Sequence, residues 1–402
     1  MLKTEDIYEI MIEITSNCQA MCLDCGRNLD GVNLNPHLTF GKAGNMDLEV
    51  FKKVFNKKVL PNFGKIHFDG NFGDSLIHPD SMEFVRHMAR EFPDKQIKFE
   101  VNTNGGYHNT DFWYELGQIT SQTFRNIDQV KFGIDGIDNE THDKYRRNVK
   151  FDKVIENAKA FIAGGGTPVW KFLEFEHNQD QVIPAQKLAK ELGFYKFSIK
   201  KTRWREKAIR KITGKEQVIS GGASKKHKAV EYKTLPKSEE KLVKKIEKQL
   251  KSFKDFTNEC EIDCSWMSRK RVQIEYDGRV WQCCHLSGRY GSGTGFAMKD
   301  YQYYVDKHGT DWNNINSKSL QEIFEHPYWN DLHDSFNNNT ADSVNPRIRR
   351  CAEKCGKGVD SPVSDSIHLH NHDDKAIWKE NNKLKKGLHE TMENRIKGNN
   401  DK

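Results

Sequence analysis

The chain has 402 residues and a net charge of +7, and 30% of its residues are charged. This length allows one large domain and a smaller one, and the charge content is that of a well-hydrated surface. No apolar run approaches the roughly 20 residues that a membrane span requires. The first residues lack the basic and then apolar layout of a signal peptide. We therefore expect a cytoplasmic protein with no membrane partner.

Nine cysteines form three groups along the chain, and none lies between residues 26 and 259. In a reducing compartment structural disulfides are disfavoured, so grouped cysteines are typical of metal ligands. The three groups are Cys18, Cys22 and Cys25; then Cys260, Cys264, Cys283 and Cys284; then Cys351 and Cys355.

The first half of the chain alternates between strand-like and helix-like segments. Strand-like segments, with β-branched or aromatic residues at alternating positions, lie at 9–15, 65–69, 97–101, 129–134, 169–176 and 195–200. Amphipathic segments of helical length lie at 47–59, 79–92, 111–122, 151–163 and 181–192. Six consecutive β–α units predict an α/β fold with a parallel sheet and helices outside it. We expect a partial (β/α)6 TIM barrel, and a flat doubly wound sheet is the alternative.

Unusual residues follow the predicted strands. The cysteine triplet follows the first strand, GNFGDS (70–75) the second, NTNGG (102–106) the third, and Asp135 the fourth. The carboxyl ends of parallel strands meet at one edge of the sheet, where α/β enzymes bind their ligands. The sequence therefore predicts a functional site at this edge.

The triplet has the spacing Cys-x-x-x-Cys-x-x-Cys, through Cys18, Cys22 and Cys25. Three thiolates on one loop can bind three irons of a 4Fe–4S cluster and leave the fourth iron open to a substrate or cofactor. Zinc is the alternative, with His37 as a fourth ligand, but zinc sites favour paired Cys-x-x-Cys units. The spacing favours the iron–sulfur cluster.

The segment CQAMCLDC, directly after a predicted barrel strand, resembles the radical SAM superfamily, and the resemblance covers about residues 7–200. It implies that the open iron binds S-adenosylmethionine (SAM). An external one-electron reductant of the flavodoxin or ferredoxin kind then drives cleavage to methionine and a 5′-deoxyadenosyl radical, which abstracts a hydrogen atom from the substrate. The resemblance implies a peptide or protein substrate first, with a small molecule or nucleotide as the alternative.

The same resemblance implies contacts with SAM at the other strand ends. GNFGDS resembles a GGEP-type segment that contacts the methionine amino group, with Asp74 in place of Glu and Ser75 in place of Pro. NTNGG resembles a segment near the ribose, although both glycine-rich stretches also suit plain turns. The full set of implied contacts is Phe72, Gly73, Asp74, Ser75, Asn102, Asn104, Asp135, Arg146 and Asn178.

One expected contact is missing from this pattern. FGIDG (132–136) resembles a family segment that often reads SIDG, so Gly133 stands where a serine is usual. That contact is either absent or supplied elsewhere. Arg146 aligns with an arginine that pairs with the SAM carboxylate, and Arg147 is an alternative. Asn178 matches an asparagine near the adenosine.

The C-terminal cysteines form a second predicted site. Asp277–Gly278 indicates a hairpin that brings Cys264 near Cys283, with Cys351 and Cys355 folded back towards them. This pattern resembles the SPASM/twitch domain, which holds auxiliary iron–sulfur clusters. The resemblance implies one auxiliary 4Fe–4S cluster on these four cysteines, because a complete SPASM domain usually has about seven cysteines and only six remain here. Cys260 and Cys284 are alternative ligands, and a zinc ribbon is the alternative site.

The stretch 200–254 contains nineteen Lys or Arg and six Glu, a net charge of +13. Such a charge excess attracts acidic peptides, nucleotides or nucleic acid, and it is equally typical of a solvated linker with a charged helix at 237–253. We expect four regions: a radical SAM partial barrel (1–202), a basic insert (203–256), a SPASM/twitch-like domain (257–358) and a polar tail (359–402). A metal-stabilised nucleic-acid-binding scaffold with an inactive barrel is the other class of function that fits.

Overall fold

The computed structural model describes residues 2–22, 25, 27, 43–127, 129–201, 207–212, 215–220, 257–287, 298–339, 344–357 and 366–370. The chain divides into two compact units, and each contains several separate stretches of sequence. The barrel unit comprises Glu13–Pro36, Gly64–Lys228 and Ser366–Lys402. The auxiliary unit comprises Met1–Ile12, His37–Phe63 and Ala229–Asp365. The four predicted regions stay a prediction.

The barrel unit is built on parallel strands that pair in chain order. These are β2 (Lys65–Phe68), β3 (Lys98–Thr103), β4 (Val130–Gly133), β5 (Pro168–Glu174) and β6 (Lys196–Lys201). The far edge of β6 pairs in antiparallel fashion with a last strand, β11 (Ser366–His370), so the sheet does not close through β6. The predicted α/β class and the open form of the parallel barrel are confirmed.

Helices connect the consecutive parallel strands of this unit. They are α2 (Ser81–Glu91), α3 (Thr110–Thr123), α4 (Asn139–Asp143), α5 (Phe151–Ala163) and α6 (Val182–Glu191). Side-chain caps fix two of their starts: the Asn109 side chain accepts a hydrogen bond from the Phe112 amide, and the Asp138 side chain accepts one from the Thr141 amide. The connections from α2, α3, α5 and α6 to the next strands are short, with four to six residues each.

Helices α3 and α5 pack closely because two glycines meet at their contact. A Cβ atom on Gly117 would lie 2.3 Å from the Phe161 carbonyl oxygen, and one on Gly164 would lie 2.2 Å from the Tyr114 carbonyl oxygen. Below the helices, Phe68 and Phe99 of β2 and β3 pack edge to face and are fully buried. The core between sheet and helices holds the strand ends in fixed positions.

The auxiliary unit has a three-stranded sheet of β1 (Glu9–Ile12), β9 (Arg271–Ile274) and β10 (Val280–Trp281). Strand β9 pairs in parallel with β1 and in antiparallel fashion with β10. The predicted hairpin at Asp277–Gly278 is confirmed, and Gly278 has a φ of +89°, a conformation that favours glycine. The predicted first strand is therefore present, but it is shorter than expected, and β9 is one of its neighbours.

Short helices complete the auxiliary unit. They are α1 (Leu48–Val54), α7 (Ser265–Ser268), α8 (Met298–His308), α9 (Leu320–Glu325), α10 (Tyr328–Asp334) and α11 (Arg349–Cys355). Ser319 and Glu322 form a capping box at the start of α9. Trp312 stacks on Tyr328, with 4.3 Å between ring centroids, and both residues are buried.

The insert and the tail contain strands that the sequence did not predict. The insert has an antiparallel pair, β7 (Lys207–Ile212) and β8 (Lys215–Ser220). In the tail, Ser366–His370 forms β11. The tail strand alternates polar and apolar residues, whereas the two insert strands do not alternate strictly. The predicted helix at 237–253 lies outside the described residues, and within them no helix is long and apolar enough to span a membrane.

Candidate active site

A cavity of about 280 Å³ lies at the carboxyl ends of the barrel strands. All three cysteines of the triplet line it, so the structure brings them to one place. Five of the other predicted site residues also line it, which are Gly73, Asp74, Asn102, Asn104 and Arg146. The predicted edge is therefore where these side chains meet.

The cysteine loop is held by backbone contacts on both sides. The Met21 amide donates to the Arg147 carbonyl oxygen at 2.9 Å. The Cys25 amide donates to the Cys22 carbonyl oxygen at 3.3 Å, which closes a turn between the last two cysteines. Burial raises the pKa of the Cys18 thiol to about 12 and that of Cys22 to about 11. Without a metal these thiols are neutral at pH 7, so ligation must release protons.

Asp74 connects the second and third strand ends. Its Oδ2 accepts hydrogen bonds from the Asn104 amide nitrogen at 2.7 Å, from Asn104 Nδ2 at 2.6 Å and from Thr103 Oγ1 at 2.9 Å. The Asp74 amide donates to the Asn17 carbonyl oxygen at 2.8 Å. Burial raises the pKa of Asp74, and the hydrogen bonds from Asn104 and Thr103 oppose that rise. Asp74 thus connects its own loop to the end of β3 through its carboxylate and to the cysteine loop through its amide.

Gly73 and Asn104 place the hydrogen bonds of Asp74 next to the cysteine loop. A Cβ atom on Gly73 would lie 2.4 Å from the Thr15 carbonyl oxygen, so only glycine allows this approach of the two loops. Asn104 Nδ2 lies 3.5 Å from the Cys18 sulfur, and Asn104 Oδ1 accepts from Gln19 Nε2 at 2.7 Å. Gln19 is a positioning residue that the sequence did not reveal, because nothing distinguishes it from a solvated loop residue.

Arg146 occupies the space that the missing serine leaves. A Cβ atom on Gly133 would lie 2.7–2.9 Å from the guanidinium atoms of Arg146. Arg146 Nε donates to Asp135 Oδ2 at 2.6 Å, and Asp135 Oδ1 accepts from the Leu173 amide at 2.7 Å. The guanidinium also donates to the Cys22 sulfur. Gly133 is therefore what allows Arg146 to reach the cysteine loop.

Four predicted contacts do not line the cavity. Asp135 is fully buried behind Arg146, and burial raises its pKa while the Arg146 charge opposes that rise. Asn178 is fully buried, with its amide donating to the carbonyl oxygens of Leu173 and Asp135. Ser75 donates to the Asp69 carbonyl oxygen at 2.9 Å, and Phe72 is buried. In this structure these residues shape the loops rather than face a ligand.

The cavity wall includes residues that the motifs did not indicate. Arg27 is buried and donates to the Phe72 carbonyl oxygen at 2.5 Å. Lys131 of β4 and Lys171 of β5 line the same cavity, with Asp69 and Asn71. For the two lysines the sequence contains one indication, which is alternation. Charged residues stand at every second position of several strands and therefore face one side of the sheet.

A second cavity lies in the auxiliary unit, and the four cysteines chosen from the sequence all line it. They are Cys264, Cys283, Cys351 and Cys355. Cys351 and Cys355 are one helical turn apart on α11, so they lie on the same face. The Asp263 amide donates to the Cys355 carbonyl oxygen at 2.8 Å, which holds Cys264 beside that helix.

The thiols of this cavity interact with one another. A hydrogen bond from the Cys355 thiol lowers the pKa of Cys264 to about 7, while the same contact raises that of Cys355. Burial raises the pKa of Cys283. The alternative ligands lie elsewhere: Cys284 does not line the cavity, and Cys260 faces Arg347, whose Nη1 lies 3.9 Å from the Cys260 sulfur.

Among the side chains that the structure describes, no group of three or more His, Cys, Asp or Glu is arranged to hold a metal ion. A cubane cluster distributes its thiolates over several irons, whereas zinc gathers four ligands around a single ion.

Comparison with known proteins identifies the auxiliary region. Residues 264–356 match the family model SPASM, described as an iron–sulfur cluster-binding domain, so the predicted SPASM-type region is confirmed. No curated protein matches the chain.

Several solved structures are similar to the chain. Streptococcus suis SuiB bound to S-adenosylmethionine is 13% identical with a TM-score of 0.44, over 80% of this chain and 66% of SuiB. Native anSMEcpe with bound AdoMet is 15% identical with a TM-score of 0.45, over 98% of this chain and all of that one. BtrN in complex with AdoMet and 2-DOIA is 12% identical with a TM-score of 0.39, over 85% of this chain and 96% of BtrN.

The contact between Gly133 and Arg146 gives a stability prediction. We expect Gly133→Ala to displace the guanidinium and leave the buried Asp135 carboxylate without its partner, at a cost of about 3 kcal/mol in the free energy of unfolding. In an Arg146→Ala background the same substitution should cost less than about 0.5 kcal/mol, because the guanidinium is gone. Urea denaturation of the wild type, Gly133→Ala, Arg146→Ala and the double variant measures the coupling energy between the two positions. Equal costs in both backgrounds would contradict the proposed contact.

Proposed function

We propose that the chain is a radical SAM enzyme with one auxiliary 4Fe–4S cluster in its SPASM domain. One observation carries the proposal: the thiols of Cys18, Cys22 and Cys25 line a single cavity at the strand ends, together with Asp74 and Arg146. Three thiols, with no fourth cysteine among the described residues of the wall, fit a cluster with one open iron. The reduced cluster and SAM together supply a 5′-deoxyadenosyl radical that abstracts a hydrogen atom.

The residues of the wall have separate roles in this proposal. The carboxylate of Asp74 accepts from the SAM amino group and is held in place by Thr103 and Asn104. Arg146 binds the SAM carboxylate, because its guanidinium lines the cavity and Asp135 orients it. Asn102 and Asn104 line the cavity on the side proposed for the ribose, and their amide groups already form hydrogen bonds within the wall. Asp135 is thus a positioning residue rather than a direct contact.

The auxiliary cluster is bound by Cys264, Cys283, Cys351 and Cys355. A fully ligated cluster has no open iron, so its role is electron transfer or substrate positioning rather than a second SAM site. The resemblance of the triplet segment favours a peptide or protein substrate, and a small molecule remains the second candidate. A flavodoxin- or ferredoxin-like protein supplies the first electron.

Cleavage of SAM tests the enzymatic claim. We expect the anaerobically reconstituted chain to form 5′-deoxyadenosine with dithionite and SAM, without added substrate. Cys22→Ala should reduce the yield to background because it removes one of three ligands. Cys284→Ala, outside both cavities, is the matched cysteine control and should retain the wild-type yield. The measurement is chromatography with mass detection, and equal yields from wild type and Cys22→Ala would refute the claim.

Metal content tests the second cluster. About eight irons and eight sulfides per chain are expected for two 4Fe–4S clusters. Cys264→Ala should lower both to about four, because the auxiliary cluster loses a ligand, whereas Cys284→Ala should leave them unchanged. Elemental analysis and sulfide assay give these counts. Zinc without sulfide, or equal losses in the two variants, would contradict the assignment.

A further inference from the structure

Two lysines line the cavity of the candidate active site and have no role in the proposal above. Lys131 lies on β4 and Lys171 on β5. Lys131 is in register with Asn102 of β3, and Lys171 is in register with Gly133 of β4. Arg146 occupies the space that Gly133 leaves on the neighbouring strand. We call Lys131 and Lys171 the lysine pair.

Hydrogen-bond donors of the lysine pair remain available. Lys131 Nζ donates to Glu100 Oε2 at 2.6 Å, and Lys171 Nζ donates to Asn102 Oδ1 at 3.1 Å. An ammonium group has three N–H donors, so each lysine retains two after these bonds. No residue in the described parts of the chain forms a further hydrogen bond or ion pair with either ammonium.

Positive charge exceeds negative charge around the pair. The Glu100 carboxylate is shared by Lys65 at 3.3 Å, Lys98 at 2.5 Å and Lys131. Burial would raise the pKa of Glu100, but these cations lower it strongly, so the carboxylate stays ionised. Lys171 has no carboxylate within 4 Å among the described residues, and its one hydrogen-bond partner is a neutral amide.

The two carboxylates of the cavity wall, those of Asp69 and Asp74, accept hydrogen bonds from neutral amide and hydroxyl groups. Asp69 is buried, and its oxygens accept from Asn71 Nδ2 at 2.6 Å and from Asn102 Nδ2 at 3.0 Å. Asn102 Nδ2 contacts His67 Nε2 at 2.9 Å as well as Asp69 Oδ1, and its Oδ1 accepts from Lys171, so this amide is used within the cavity wall. The Lys171 side chain is exposed in the cavity, where desolvation by the wall and the neighbouring Lys131 charge lower its pKa to about 8. An anion between the two ammoniums would relieve that repulsion.

We propose that the lysine pair binds an anionic group of the substrate, a carboxylate or a phosphate, with its oxygens on the ammonium groups of Lys131 and Lys171. The inference rests on the proposed function, because a substrate in this cavity is a substrate beside the SAM site. It narrows the substrate to an acidic molecule or to a peptide with an acidic side chain or terminus. Arg146 serves the SAM carboxylate, which leaves the lysine pair for the substrate.

Amine labelling of the reconstituted full chain tests the inference. Acetic anhydride is applied in trace amounts at pH 8, and peptide mass spectrometry reads the modification of Lys171. The probes are succinate, inorganic phosphate and neutral succinamide at matched ionic strength. A bound anion that raises the pKa of Lys171 by one unit lowers its reactive neutral fraction at pH 8 about fivefold. We expect this slowing with succinate or phosphate, and the more effective anion identifies the chemical class.

Controls separate the inference from general anion effects. Lys187, an exposed lysine on α6, should label at one rate under all conditions. Lys131→Met should abolish the protection of Lys171, whereas Lys187→Met should keep it. The inference is overturned if neither anion slows Lys171, if succinamide slows it equally, or if SAM alone protects it as fully as the anions do. The last result would assign the pair to the cofactor.

The labelling does not depend on SAM cleavage, so the two claims fail separately. Formation of 5′-deoxyadenosine without protection of Lys171 would retain the enzyme and reject the anion site. Protection without 5′-deoxyadenosine would support the anion site and reject the enzyme.

Discussion

The hydrogen bonds of one buried carboxylate, that of Asp74, hold the candidate active site together. Asp74 accepts from the third strand end through Thr103 and Asn104, and its own amide donates to the loop that carries the cysteines. A buried carboxylate is costly unless it is fully hydrogen-bonded, so these loops stabilise one another only in this arrangement. Asn104, fixed in this way, reaches the Cys18 sulfur. The position of the cysteines thus depends on contacts made two strands away.

A second buried carboxylate, that of Asp135, positions side chains on the other side of the cavity. Asp135 orients Arg146, and Arg146 contacts the Cys22 sulfur across the gap left by Gly133. The usual serine would collide with the guanidinium, so the departure from the family pattern is compensated by the arginine. Both cysteines that precede the final turn therefore have a polar partner from a distant strand.

Much of this arrangement could be predicted from sequence because it depends on spacing and strand order. The cysteine triplet, Asp74, Asn104 and Arg146 follow strands whose periodicity is clear, and parallel strands bring their ends together. The same holds for the four auxiliary cysteines, which a hairpin and one helix collect. Local pattern decides these positions.

The contacts of the other site residues depend on the direction of their side chains, which sequence spacing does not determine. Asn178, Ser75 and Phe72 follow the same strands, yet they turn towards backbone groups and the core. Lys131 and Lys171 line the cavity, and in sequence they are indistinguishable from lysines on a solvated face. The short strands of the insert were missed because their residues, KAIRKI and KEQVIS, do not alternate strictly between apolar and polar.

The most direct test of the account is the electronic contact between SAM and the triplet cluster. Electron–nuclear double resonance of the reduced protein with SAM labelled by 15N at its amino group reports that contact through hyperfine coupling. We expect a 15N hyperfine coupling in the wild type that disappears in Cys22→Ala. A reduced triplet cluster with bound SAM and no 15N coupling would contradict it.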